Sequence, residues 1–364
     1  MGDAVMSLAF IRAAQPHYEV HVCCSPAAEP IFLMVLPRSQ VHRWQPPWAT
    51  GQGPRFSPRA AFDALRAAVA MLAPLRASLA ICAWCDPRIG VLMNWLKVPS
   101  RIGFACHRDN FYGRHLAWRQ RQLTIARGLE VLARVALRRP MYTQALQRRD
   151  YAQHHVEDWR QIAETLGLEF DAARSGLESD RGEHRSEGVT IAHDPPEVAV
   201  VPTPARRPRI AIHPGASEVQ KRWPLAHFLR LATALAERFE VCFIEPPEVP
   251  LADTETAGFA VLRTRSLAQL AERLRDIDAL ICNDSGVGHL AAATGMPVIA
   301  IFLSSDDGHF SPYTSRERVI SFDGACDMRP CFGPCVKHTL LCHQPADYES
   351  IASRVTTGLA RLFG

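Results

Sequence analysis

The chain alternates short runs of consecutive apolar residues with longer stretches in which apolar positions recur every three or four residues. Runs at Val20–Cys24, Leu79–Ala83, Ile102–Ala105, Ile210–His213, Val241–Ile244, Ala260–Leu262, Ala279–Cys282 and Val298–Phe302 predict strands. The helical period predicts helices over Ala4–Ala14, Ala60–Leu72, 154–167, Leu225–Phe239, Leu267–Leu274, Gly288–Thr294 and about 346–362. A long basic amphipathic helix, or a pair, is predicted over 114–139. Strand–helix alternation is the pattern of a parallel α/β sheet, and no internal repeat interrupts it. Two Rossmann-like units with a cleft between them are the expected architecture: 1–170, a charged and then proline-rich linker at 171–208, a second unit at 209–345, and a terminal helix at 346–364 that packs back on the first unit.

Composition agrees with that size. The 364 residues are 48% apolar and 21% charged, which is ordinary for globular chains and enough for two cores. The longest apolar candidate, Val287–Leu303, is broken by His289, Gly295 and Pro297, so no membrane-spanning helix is expected. Met1-Gly2-Asp3 carries no secretory pattern, and the 11 cysteines are then expected as thiols or metal ligands in a reducing cytoplasm. Only Lys97, Lys221 and Lys337 are lysines; arginine supplies the other cations. Such scarcity gives weight to a lysine at a site where a compact charge is needed. Residues 101–149 carry 11 arginines against Asp109 and Glu130, a net +9. That is either a solvated face or a surface for phosphates or for an anionic membrane. Nucleic acid is not an expected partner.

Three stretches can carry chemistry. In the first, the strand Ala279–Cys282 runs into Asn283-Asp284-Ser285-Gly286, where a helix opens. Amides at a helix start favour a diphosphate, and Ser285 and Gly286 allow close approach. The competing reading is a plain cap by Asp284 or Ser285, with His289 merely packed. Gly286-x-Gly288-x-x-Ala291 matches the dinucleotide fingerprint only loosely: it lies late in the chain, and no acidic residue ends a clear strand about 20 residues on. In the second stretch, His213-Pro-Gly-Ala-Ser leads to Lys221-Arg222-Trp223-Pro224. A lysine and an arginine at a strand's C-terminal edge can neutralise a diphosphate, or be solvated loop cations. Glu245, at the end of the next strand, either holds a ribose diol or caps a turn. In the third, Asp3 is either the N-cap of the first helix or a general base at the cleft edge. Separately, Cys326, Cys331, Cys335 and Cys342, with His338 and His343, could hold Zn or Fe, remain reduced, or form disulfides. Cys23, Cys24, Cys82 and Cys282 are expected as small core residues.

Gly2-Asp3-Ala4-Val5, His213-Pro-Gly-Ala-Ser with Lys221-Arg222-Trp223-Pro224, and Asn283 to Ala292 resemble glycosyltransferase family 9, the ADP-heptose:lipopolysaccharide heptosyltransferases. Arg101-Ile102-Gly103-Phe104 and the cysteine-rich tail look like that family as well. The resemblance implies a GT-B fold and an inverting, metal-independent heptose transfer from an ADP-sugar to a lipopolysaccharide-core or related saccharide, at the inner membrane face. Asp3 matches the family's base, Lys221 its phosphate-binding lysine and Glu245 its ribose-binding glutamate. The implied donor site comprises His213, Gly215, Ser217, Lys221, Arg222, Glu245, Asp284, Ser285, Gly286, Gly288 and His289. Rival expectations are another nucleotide sugar, a protein acceptor, or a degenerate GT-B protein that binds without catalysis. In the family an apolar strand and a glycine turn precede Gly-Asp, whereas here Gly2-Asp3 follows Met1 directly. The expectation is that upstream codons encode that strand, or that the chain is impaired.

Overall fold

The computed structural model describes residues 1–48, 58–83, 86–104, 140–147, 154–172, 206–246, 258–313, 318–321 and 346–364, with positions 132, 177, 251, 256, 326, 340 and 343. The helix expected at 114–139, the linker at 171–208 and Cys331, Cys335 and Cys342 fall largely or wholly outside these residues.

The second half is built on one six-stranded, wholly parallel sheet. Its strands are β6 (Arg209–His213), β7 (Glu240–Ile244), β8 (Ala260–Leu262), β9 (Ala279–Asn283), β10 (Val298–Phe302) and β11 (Val319–Ser321). Their spatial order is β11-β10-β9-β6-β7-β8. This is the doubly wound order, in which chain direction across the sheet reverses between β6 and β9. β9 and β10 are buried at every position, so their sequences read as continuous apolar runs rather than as alternation. α7 (Leu225–Leu235) buries Phe228, Leu231, Ala232 and Leu235, one stripe of its surface. α8 (Leu267–Leu274) starts on Ser266, whose side chain accepts from the Gln269 amide. α9 (Gly286–Ala293) follows β9 directly, and the short α10 (Asp307–Phe310) follows β10.

The terminal helix α11 (Tyr348–Phe363) corrects an expectation. Ile351, Val355 and Leu359 pack with Trp223, Ile299, Ile301 and Ile320, so it covers the second-half sheet rather than the first unit. Its three-to-four-residue apolar stripe finds its partner on the nearest open sheet face.

Among the described residues, the first half holds two parallel ladders. One pairs β1 (Val22–Cys24) with β2 (Val41–Arg43); the other runs β3 (Leu79–Cys82), β4 (Ser100–Phe104), β5 (Gln144–Leu146). Around them lie α1 (Gly2–Met6), α2 (Leu8–Ala14), α3 (Glu29–Phe32), α4 (Pro58–Leu72), α5 (Pro87–Trp95) and α6 (His155–Thr165). The helix expected over Ala4–Ala14 is divided at Ser7. The Ser7 hydroxyl donates to the Ala4 carbonyl at 2.7 Å, competing with the backbone ladder.

The Arg101–Phe104 motif proves structural. Arg101 is buried and donates to the carbonyls of Val98, Pro140 and Met141, and so does not belong to a solvated basic face. A Cβ on Gly103 would lie 2.4 Å from the Tyr142 ring. Cys24, Cys82 and Cys282 are buried as expected, but Cys23 is exposed, because alternate residues of β1 face opposite ways.

One core cluster joins the halves. Ala4, Val5, Leu8, Ile11 and Ile31 from the first pack with Leu280, Cys282, Val287 and Leu290 from the second. No helix among the described residues is long and apolar enough to cross a membrane.

Candidate functional site

The sheet's reversal point fixes where a ligand meets it. β6 and β9 are neighbours, with His213 paired to Cys282, so their C-terminal ends open side by side. Ligands of open α/β sheets bind in such a crevice. Both candidate loops leave from here.

Asn283, fully buried, fastens the two loops together. Its amide donates to the Pro214 carbonyl at 2.8 Å, and its carbonyl accepts from the Trp223 amide at 3.0 Å. Trp223 is itself anchored through its indole N–H to the Ala346 carbonyl at 3.1 Å. A single turn of 3-10 helix, Val219–Lys221, then presents Lys221. Its Nζ lies 2.8 Å from Asp284 Oδ2, and Ser305 Oγ donates to the same oxygen. The Asp284 side chain is nearly buried and that of Lys221 about one-fifth exposed, so a partly solvated cation stands at the crevice mouth. Arg222 turns away: its Nε donates to the Ala216 carbonyl at 2.8 Å and braces the loop.

α9 begins at this point. Ser285 occupies the N-cap position, and its side chain makes no capping hydrogen bond. The positive end of α9 therefore favours an anion. A Cβ on Gly288 would lie 2.8 Å from Cys282 Sγ, so the glycine lets the helix sit tightly on β9.

Two histidines line the site and neither is a cation. Burial holds His213 and His289 at about 4, from 6.5. His213 packs beneath Gly215 and approaches the Ile244 carbonyl at 3.4 Å, so it shapes the turn. His289 lies against α1, where a Cβ on Gly2 would be 2.8 Å from its ring. Asp284 and Asp3 both act on this imidazole electrostatically, which puts Asp3 within reach of the Asp284–His289 segment. Asp3 is not the N-cap of its helix. The helix begins at Gly2 with Met1 as N-cap, and Asp3 sits exposed in the first turn.

Glu245 accepts from the Leu251 amide at 3.2 Å and from Arg263 Nε at 3.1 Å. Its carboxylate thus tethers a loop and stays about one-quarter exposed. Beside it opens a cavity of about 350 Å³, walled by Pro214, Arg222, Trp223, Pro246 and Leu251 among others. Its lining is mainly apolar and its size is that of a small-molecule site. Ser217 is exposed at the loop's edge.

The structure thus brings together Lys221, Asp284, Ser285, Gly286, Gly288 and His289 with Asp3 opposite, and places Glu245 across the cavity. His213, Gly215 and Arg222 shape the loop instead. Sequence reasoning missed Asn283 and Ser305 as site residues. A signal existed for each: a polar residue that ends a buried apolar strand at the sheet's reversal point, Asn283 after β9 and Ser304-Ser305 after β10.

The family model for glycosyltransferase family 9 (heptosyltransferase) matches residues 94–337. Lipopolysaccharide heptosyltransferase 1 of Pseudomonas aeruginosa is 31% identical over 143 residues, 37% of this chain and 38% of that protein. The match therefore spans well under half of that relative's length. The fold is similar to that of the E. coli heptosyltransferase WaaC with ADP, with a TM-score of 0.59 at 18% identity over 98% of this chain and 97% of that one. It is equally similar to a family 9 glycosyl transferase structure from Veillonella parvula, with a TM-score of 0.59 at 15% identity over 99% and 94%.

Proposed function

The chain belongs to glycosyltransferase family 9, with a GT-B fold, and from that premise we propose that it transfers a heptose from ADP-heptose to a lipopolysaccharide-core or related saccharide with inversion. The observation that carries this reading is the pairing of Lys221 with the uncapped start of α9 at the reversal point of the sheet, opposite Asp3. The adenosine occupies the apolar cavity between Pro214 and Pro246, and Glu245 takes the ribose hydroxyls. The diphosphate lies between Lys221 and the α9 amides.

Asp3 accepts the proton of the acceptor hydroxyl as its oxygen attacks the anomeric carbon. The bond from that carbon to the diphosphate oxygen breaks, and ADP leaves with the negative charge. Lys221 and the helix terminus stabilise that charge, a role a divalent cation would otherwise fill. Asp284, held by Lys221 and Ser305, is placed to accept from sugar hydroxyls. The E. coli heptosyltransferase WaaC was also solved with ADP-2-deoxy-2-fluoro heptose, which supports the choice of donor class. The proposed units are 1–170 and 209–345, joined by 171–208. Setting aside the buried Arg101, residues 102–149 carry ten arginines against Asp109 and Glu130, a net +8 that supports work at an anionic, cytoplasmic membrane face.

One observation favours a second reading, binding without catalysis. α1 packs directly on the start of α9, with the Met1 side chain against Gly286, in the space a diphosphate would need. Calorimetric titration with ADP-heptose, ADP and UDP-sugars, together with turnover, separates the readings. Transfer requires selective ADP-heptose binding and product formation, and binding without product supports the second. Lys221→Ala should weaken donor binding about 10- to 100-fold, the scale of one hydrogen bond to a charged group, and should also lower the melting temperature, because the nearly buried Asp284 loses its cation. A lowered melting temperature with intact donor affinity would make Lys221 a loop cation.

A further inference from the structure

Away from the crevice, a second polar cluster sits where the two halves meet. His155 and Asp158 lie one turn apart on α6 and are both fully buried. His309, on α10 of the other half, is 1% exposed and stacks at a tilt on His155 with ring centroids 5.5 Å apart. One donor atom from each of the three lies within 4.8 Å of the other two. His155 Nδ1 and Asp158 Oδ2 are 2.9 Å apart.

We propose that His155, Asp158 and His309 form a divalent metal site, of zinc type, that ties α6 to α10 across the two halves of the molecule.

Three physical points lead there. The first is the donor set. Two imidazoles and a carboxylate suit a borderline ion such as Zn²⁺, whose bonds of about 2.0–2.2 Å put neighbouring ligand atoms roughly 3.3 Å apart. Nδ1 and Oδ2 are near that spacing already. At 2.9 Å they can share a proton, and opened by a few tenths of an ångström they can share an ion, which then displaces the proton. The second is burial. A carboxylate removed from water is costly unless it is paired, and a dication held by Asp158 and the two imidazoles would be a stronger partner than the hydrogen bond to His155. The same two-histidine, one-carboxylate set can serve open-site iron, but that chemistry needs several free positions. Burial of all three ligands suits a closed, four-coordinate ion rather than an open site.

The third point is preorganisation of the frame. His154 accepts from the Val156 amide at Nδ1, so its Nε2 carries the proton and donates to the Ser311 carbonyl at 2.7 Å. His154 also meets Tyr313 edge-on. On the other side, Asp306 accepts from the His309 amide and fixes α10. Both helices are thus held in register before any ion binds. The site is structural and separate from Lys221, so it adds a fastening between the halves and no step to the transfer.

The test uses the full chain, stripped with EDTA and titrated with Co²⁺, as wild type, His309→Gln and Asp158→Asn. The wild type should bind one more equivalent than either variant. The added ion should show the visible bands of four-coordinate cobalt without a thiolate charge-transfer band, and the wild-type melting temperature should rise with it. Ion held by the cysteines would appear in all three proteins and cancel. Equal stoichiometry in the three overturns the proposal. Should a variant fail to fold, as judged by circular dichroism, the wild type decides alone. Cobalt with a nitrogen-and-oxygen spectrum supports the site; thiolate-ligated cobalt only, or none, removes it.

Discussion

Asp3 shows how one residue's competing readings separate once its surroundings are known. The sequence allowed a helix cap or a base, and the cap is gone, since Met1 holds that position and Asp3 lies exposed in the first turn beside the His289 imidazole. Asp3→Asn keeps the shape and removes the proton acceptor. Turnover should fall about 10²- to 10⁴-fold, while donor affinity and melting temperature change little. A variant retaining more than about a tenth of wild-type turnover would place the base elsewhere. At this scale the sequence disclosed residues whose chemistry is in their type, such as Lys221 and Asp284. It concealed those whose role comes from partners distant in the chain. Asn283 bonds Pro214 and Trp223, 69 and 60 positions away, and nothing in its neighbours announces that. Asn283→Ala leaves two buried backbone groups unsatisfied, and should cost about 2–4 kcal/mol in urea unfolding. A loss below about 0.5 kcal/mol would mean the loops do not depend on it.

Elements were legible in proportion to their length and burial. β9, β10 and α7 to α9 stand where the pattern puts them, to within a few residues, because five or more consecutive positions report one environment. β2, β5 and β11 have three residues each, too few to show a period, and were missed. α5 was missed although Asp86-Pro87 is a good helix start, with the Asp86 side chain accepting from the Arg88 amide. Packing of elements also sets the pH response. His213 sits at the end of β6 and His289 in α9, and burial depresses both from 6.5 to about 4. The unfolded chain takes up these protons near 6.5, whereas the folded protein resists until about 4. Their stabilising contribution is therefore complete above 6.5 and is lost as pH falls towards 4. Each imidazole contributes a slope of up to about 1.4 kcal/mol per pH unit in that window. Urea midpoints measured from pH 7.5 to 4.5 should fall accordingly, and His213→Asn should remove about one proton's share of the slope. An unchanged slope in the variant would show that His213 is protonated as readily folded as unfolded.

At the scale of the whole molecule, the expectation of two Rossmann-like units facing each other across a cleft did not include the core that the two halves share. The fold class was legible because strand–helix alternation and three motifs in order leave few architectures. The closeness of the halves was not, because contacts between α1, α2 and α9 join segments some 280 residues apart. Leu8 is fully buried in a cluster that also holds Val287, Leu290 and Cys282, so the first half's helices and the donor loop's helix share one core. Leu8→Ala tests whether that core makes the halves one cooperative body. Truncating a fully buried leucine costs about 2–5 kcal/mol, depending on how far the cavity collapses. If the halves unfold together, the loss must reach both, since an interaction shared by two elements stabilises each against local opening. Hydrogen exchange followed by mass spectrometry should then show faster exchange in α2 and, to a similar degree, in α9 and β9, with a single melting transition at lower temperature. Exchange accelerated in residues 1–48 alone, with α9 and β9 protected as in the wild type, would mean that the second half stands without the first. In that case the α1–α9 contact is a docking that ligand binding can displace, and the proposed role of Asp3 as base would require the halves to move first.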